Sequence, residues 1–181
     1  MAQSDNRGGG GQRLRRGGRL LILSAAALIA VGFLGHGIDL VLLTTALGPT
    51  AYLLLAHPEN EQSRVRNALT GHGAAVVCAL GLLAAFGLWN HPSVAATHRD
   101  TAAQIVAQAL AVGLTLLLLT LLDAHHPPAA ATALLITSGI AGPVRPLVGM
   151  FVGLAVLIAL SALLSLAAAR RFHAEKQRAK N

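Results

Sequence analysis

The chain is 181 residues long, 54% hydrophobic and only 12% charged, with 19 glycines and 3% aromatic residues. A soluble domain carries roughly a quarter of its residues charged, so this composition excludes an ordinary soluble fold and points to a membrane protein. Cys78 is the only cysteine, which excludes a disulfide framework or a thiolate metal cage. The net charge of +7 sits at the two ends: residues 1–19 hold five Arg against Asp5, residues 170–181 hold five Lys or Arg against Glu175, and the body between holds four Arg against five acids. Nucleic acid needs its cations on a folded face that tracks phosphates, whereas basic flanks around an apolar body suit a lipid bilayer.

In chain order, residues 1–19, with the Gly8–Gly11 run among arginines, read as a disordered basic tail. Stretches free of Asp, Glu, Lys and Arg then run from Leu20 to Ile38, Ala68 to His98, Thr101 to Leu122 and Pro146 to Ala169. Each can hold the roughly 20 residues that a helix needs to cross lipid. The first is read as a retained helix, since no clear signal cleavage site follows it and further spans come after. Between these stretches lie Leu40–Pro58, broken by Gly48-Pro49, and Ala129–Val144, short and led by Pro127-Pro128. Proline starts or breaks helices, so both predict half-length helices.

The expected fold is an all-α membrane protein, with a transmembrane domain over residues 20–169 of four spanning helices plus two Pro-led half-helices. A basic tail, 170–181, follows, in which good helix formers let the last helix continue into water. Basic flanks put both termini in the cytoplasm, in an inner membrane, which requires an even number of crossings. Four are preferred, each half-helix entering and leaving on one side; six satisfy the rule too, if Leu20–Pro58 crosses twice and Ala129–Val144 just crosses. Gly48–Leu53 can be laid on Ala130–Leu135, which sets Thr50 on Thr132, and an Arg follows each (Arg66, Arg145) to open another long helix. That suggests two repeats of helix, half-helix, helix, a design recurrent in transporters, while chance similarity in an Ala- and Leu-rich chain stays open.

The densest polar constellation is Asp123-Ala124-His125-His126-Pro127-Pro128. A spanning helix should end near Leu122 and a new one begin around Pro128. A helix N-terminus offers unpaired N–H groups and partial positive charge, which suits an anion, and small Ala129, Ala130 and Ala131 would let a solute approach. His126 lies at that mouth. With an ordinary imidazole pKa near ~6.5, it would add positive charge in mild acid and link anion uptake to protons. Two plainer readings stand beside this one: a loop in interfacial water, and a structural hydrogen bond that fixes the turn.

His126-Pro127-Pro128-Ala129-Ala130-Ala131-Thr132-Ala133-Leu134 resembles the signature of the HPP family, which commonly has Gly at the position of Ala130. Leu47-Gly48-Pro49-Thr50-Ala51-Tyr52 resembles that family's Phe-Gly-Ala-Ser-Ala-Val segment, departing from it at Pro49, and Arg66-Asn67-Ala68-Leu69-Thr70-Gly71-His72 resembles its Arg-Asn-x-x-x-Gly-His. Order and spacing agree over roughly residues 20–169. The resemblance implies an integral membrane protein with four spanning helices and suspected transport; some photosynthetic relatives are associated with nitrite.

Other residues carry weaker signals. Asn67 and Gly71 share a helix face with His72 about one position round, and Arg66 either faces a polar cavity or snorkels to headgroups. Gly149 and Gly153 form a GxxxG pair, read as helix packing and as the contact of a homo-oligomer. Asp39 is intramembrane if residues 20–46 form one helix, and a loop residue if two helices meet there. No catalytic motif is present, and metal ligation would need His125 and His126 to converge with His72, Asp123 or Asp39. The expected protein is a small-solute transporter, the resemblance implying a nitrite-like anion, with lipid and copies of itself as partners and no cofactor, metal or enzymatic role. The expected path lining is His126, Pro127, Pro128, Ala130, Thr132, Thr50, Arg66, Asn67 and His72. A non-transporting membrane sensor, anchor or assembly module is the alternative.

Overall fold

The computed structural model describes residues 7–139 and 144–178, with side chains described at 10–139, 144–164 and 166. The described chain is helical: α1 (Arg7–Gly37), α2 (Leu47–Ala56), α3 (Val65–Ala85), the short α4 (Val94–Thr97), α5 (Ala102–Leu121), α6 (Pro128–Thr137) and α7 (Arg145–Arg178), with a 3-10 turn at Glu61–Ser63 before α3. Four helices are long and apolar enough to cross a membrane, over Gly10–Gly37, Val65–Ala85, Ala102–Leu121 and Arg145–Leu164. Their outer faces carry exposed Phe33, Val77, Leu117 and Leu163, as surfaces that meet lipid do.

Helix ends follow from local chemistry. Thr101 and Gln104 form a reciprocal capping box that opens α5. Helices α1 and α5 close alike: the N–H of Leu40 reaches the Gly35 carbonyl at 2.9 Å and that of Ala124 reaches the Leu119 carbonyl at 2.9 Å. An aspartate in the left-handed region, Asp39 or Asp123, sits just before each donor. The tail expected to be disordered is helical from Arg7 onward and continuous with the first span. Gln12 to Arg16 are helix formers that extend a helix already nucleated in the span, despite Gly8–Gly11 before them and Gly17-Gly18 after them; residues 1–6 lie outside the described residues. At the other end α7 continues to Arg178, while residues 179–181 are outside the description.

The four long and two ten-residue helices agree with the sequence reading, but the path of the short ones does not. Helix α1 ends at Gly37, and the chain then runs extended back along it, Leu42 against Gly35 and Leu43 against Gly32. Helix α2 completes the descent, its Ala56 carbonyl meeting Arg16 near the start of α1 at 3.4 Å. Helix α6 likewise leaves the end where α5 stops and carries the chain toward the other, where the Ser138 carbonyl accepts from Val94 N–H at 3.0 Å. The stretch before α2 and α2 itself thus run from one end of α1 to the other, and α6 runs from the end of α5 toward the segment that precedes α5, so the preferred return to the same side is not what the chain does. Three glycines permit this. A Cβ at Gly35 would lie 2.6 Å from the Leu40 carbonyl oxygen and one at Gly149 would lie 2.5 Å from that of Val41, while Gly153 gives the same room to Leu42. The GxxxG pair of α7 is therefore occupied by the protein's own backbone, not by a second copy.

The long and half-length helices pack in two groups. Helices α1, α2 and α7 form one group around Val31, Leu47, Leu54 and Leu157, and α3, α5 and α6 form the other around Ala79, Leu83, Ala107 and Ile136. Laying α1–α3 on α5–α7 maps one group onto the other, with the third helix of each repeat exchanged. The two repeats run in opposite senses, since α1 climbs toward the end at which α5 begins. At that end Arg145, opening α7, pairs with Asp39, donating to its carboxylate and, at 2.7 Å, to its backbone carbonyl. Asp39 is an exposed loop residue here, not an intramembrane one.

Candidate functional site

The two groups meet at a polar cluster. Thr50 on α2, His72 on α3, His126 before α6 and Thr132 on α6 are each at most 1% exposed. Thr50 Oγ1 donates to the Ala46 carbonyl at 2.9 Å and lies 3.3 Å from His72 Nε2 and 3.4 Å from His126 Nε2. His72 Nδ1 lies 2.7 Å from Thr132 Oγ1, and His126 Nδ1 donates to the Gln62 carbonyl at 2.8 Å. The two imidazoles meet edge to face with centroids 5.0 Å apart. Thr50 and Thr132, the pair that the repeat superimposes, thus hold His72 from both sides.

Local sequence explains the placement. Asp123 turns the chain after α5, and Pro127 and Pro128 start α6 at once, so His126 is pinned between two helices rather than carried on one. Gly71 makes the space, for a Cβ there would lie 3.1 Å from His126 Cβ. Buried Asn67 donates to the Glu61 carbonyl at 3.0 Å and Ser63 donates to the His57 carbonyl at 2.6 Å, which fixes the turn that presents the Gln62 carbonyl. Asn67 therefore positions the cluster from outside it.

Other nominated residues fall elsewhere. Arg66 is exposed and faces no cavity of the cluster, because one residue along α3 from Asn67 turns it about 100° away. Two of the expected free N–H groups at the start of α6 are occupied: Ala129 donates to the His126 carbonyl at 3.0 Å and Ala130 to that of Pro127 at 3.1 Å. Pro127 is itself in the α region, which lets these tight first-turn bonds form. Ala130 is half-buried, and Pro127 and Pro128, with Gly48, Pro49 and Gln62, line an open groove of about 540 Å³ between the half-helices. A second cavity of about 230 Å³, lined by Asn90, His91, Gln104 and Thr137, lies at the far end of α6. His125 is exposed beside Asp123, and among the described residues no three His, Cys, Asp or Glu converge.

A family model described as the HPP transmembrane region matches residues 12–179. The chain belongs to the HPP family. The match takes in both repeats and every residue of the cluster, so the HPP motif that names the family is, in this member, the element that sets His126 against Thr50. No curated protein and no solved structure matches this HPP chain. Sequence reasoning had nominated all four side chains of the HPP cluster; it missed the Ala46 and Gln62 carbonyls, since a main-chain acceptor leaves no mark in the residue type.

Proposed function

We propose that this HPP-family membrane protein is a small-solute transporter of an inner membrane, with both termini cytoplasmic, working as a homo-oligomer and passing a small nitrite-like anion. One observation carries the reading. A fully buried cluster of hydroxyls and imidazoles sits where two opposed repeats bring their half-helices together. Buried polar side chains at membrane depth are costly and mark solute or proton paths, and opposed repeats with broken helices supply binding sites between two access routes. In this reading the groove beside Pro127 and the cavity beside Thr137 serve as those routes. The homo-oligomer contact lies on a face other than Gly149 and Gly153. No catalytic role belongs to this reading.

The test is flux in proteoliposomes across nitrite, nitrate and formate, wild type against Thr132→Val. Nitrite uptake above empty vesicles that falls in the variant is the expected result. Uptake of none of the three would leave the sensor, anchor or assembly module as the reading.

A further inference from the structure

The cluster has more hydrogen-bond contacts than hydrogens. Five contacts join it: Thr50 Oγ1 to the Ala46 carbonyl, to His72 Nε2 and to His126 Nε2; His72 Nδ1 to Thr132 Oγ1; His126 Nδ1 to the Gln62 carbonyl. Two hydroxyls and two neutral imidazoles bring one hydrogen each, four in all, and every contact consumes one. A carbonyl only accepts, so His126 keeps its hydrogen on Nδ1 and its Nε2 is bare. When the Thr50 hydroxyl turns to Ala46, His126 Nε2 faces an oxygen with no hydrogen to give. When it turns to His126, the Ala46 contact lapses. In both arrangements Thr132 donates to His72 Nδ1 and His72 Nε2 donates to Thr50. A single added proton fills all five contacts.

We propose that His126 Nε2, with Thr50 as its rotating partner, is a proton-binding site, and that the solute travels with that proton; the second half rests on the transport reading above. The proton arrives from hydronium, which leaves as water. Nε2–H then donates to Thr50 Oγ1, whose own hydrogen turns to the Ala46 carbonyl, and Oγ1 accepts from both imidazoles on its two lone pairs. On release the hydroxyl hydrogen returns to Nε2 and the proton goes back to water. No heavy atom moves in either direction, so both protonation states are satisfied in one packing. Gln62, whose carbonyl accepts from His126, and Pro127, the residue after His126, line the groove between the half-helices.

The surroundings leave His126 the group that responds. Its titratable neighbour on α3 is His72, edge-on; α2, α5 and α6 bear no charged residue. Nearby, Glu61 pairs with Arg64 and Asp123 with His125 on the exposed surface, and Tyr52 with His57 on the outside of α2.

The experiment is a 15N-histidine titration of the full chain in micelles from about pH 8 to 4, with His126→Gln assigning the resonance, beside nitrite flux in proteoliposomes at the same pH values. Wild type is expected to protonate at His126 Nε2 while Nδ1 keeps its hydrogen. Thr50→Val should lower the midpoint by about one pH unit, roughly tenfold in proton affinity, and Thr50→Ser should restore it. Nitrite flux should rise toward acid in wild type and Thr50→Ser and lose that slope in Thr50→Val. A His126 that stays neutral to the acid limit overturns the site, and so does a midpoint indifferent to Thr50→Val. Flux with a flat pH profile overturns the coupling. A normal titration with no flux of any anion overturns the transport reading and the coupling with it, and leaves the proton site standing.

Discussion

Alanine at Gly71 would place a Cβ 3.1 Å from His126 Cβ, 3.2 Å from Leu119 Cδ2 and 3.3 Å from Ala129 Cβ. Carbon atoms rest about 3.5–4.0 Å apart, so each contact must open by roughly half an ångström. Leu119 Cδ2 is the tip of a flexible side chain and gives way. The other two atoms belong to the loop before α6 and to its first turn, and they retreat only if the half-helix moves off α3. Overpacking of this kind costs about 1–3 kcal/mol, while alanine in place of glycine within a helix returns up to about 1 kcal/mol. The expected net is a destabilisation of about 0.5–2 kcal/mol. Gly73, two residues further along α3, is the internal control, since a Cβ there meets nothing within 4 Å; Gly73→Ala should stabilise by up to about 1 kcal/mol. Thermal unfolding of both variants in the same micelle reads the difference. Equal midpoints for the two would refute the close packing of α3 on His126.

Gly153→Leu should cost more than about 3 kcal/mol and abolish monodisperse elution, since the Leu42 carbonyl fills that space; a folded protein with altered oligomeric state would instead restore the GxxxG pair to a role between copies. Thr44 Oγ1 is buried without a hydrogen-bond partner, so Thr44→Val should raise stability by about 1 kcal/mol, and a loss in thermal unfolding would show that the hydroxyl has work in the fold. Arg66→Gln should change stability by less than about 0.5 kcal/mol and leave nitrite flux as it is, and a flux defect would return Arg66 to the path.

The long helices were legible because charge partitions the sequence and lipid tolerates little of it between Leu20 and Ala169. Prolines 49, 127 and 128 announced the half-helices for the same reason: a residue without an N–H starts a helix but cannot continue one. The path of residues 38–46 was not legible. An extended stretch in a bilayer has no period of its own, and what admits it is the absence of side chains at Gly35, Gly149 and Gly153, the last two more than a hundred positions away along the chain. Arg66 drew attention through its charge, yet the helix phase that buries Asn67 turns it outward. The start of α6 was misjudged because two prolines remove two donors and the next two bond tightly within the turn, so the terminus holds fewer free N–H groups than its position suggests.

The exchange of third helices between the repeats also governs when the fold can exist during synthesis. As α1 and α2 leave the ribosome, Leu47 and Leu54 lack Leu157, their partner on α7, and the extended backbone at Val41 and Leu42 lacks the glycine surface that later receives it. Neither repeat is a foldable half. The first is held in the bilayer by α1 and α3 until α7 has been translated, with a half-length helix and a length of bare main chain in the care of lipid, water or the insertion machinery until then.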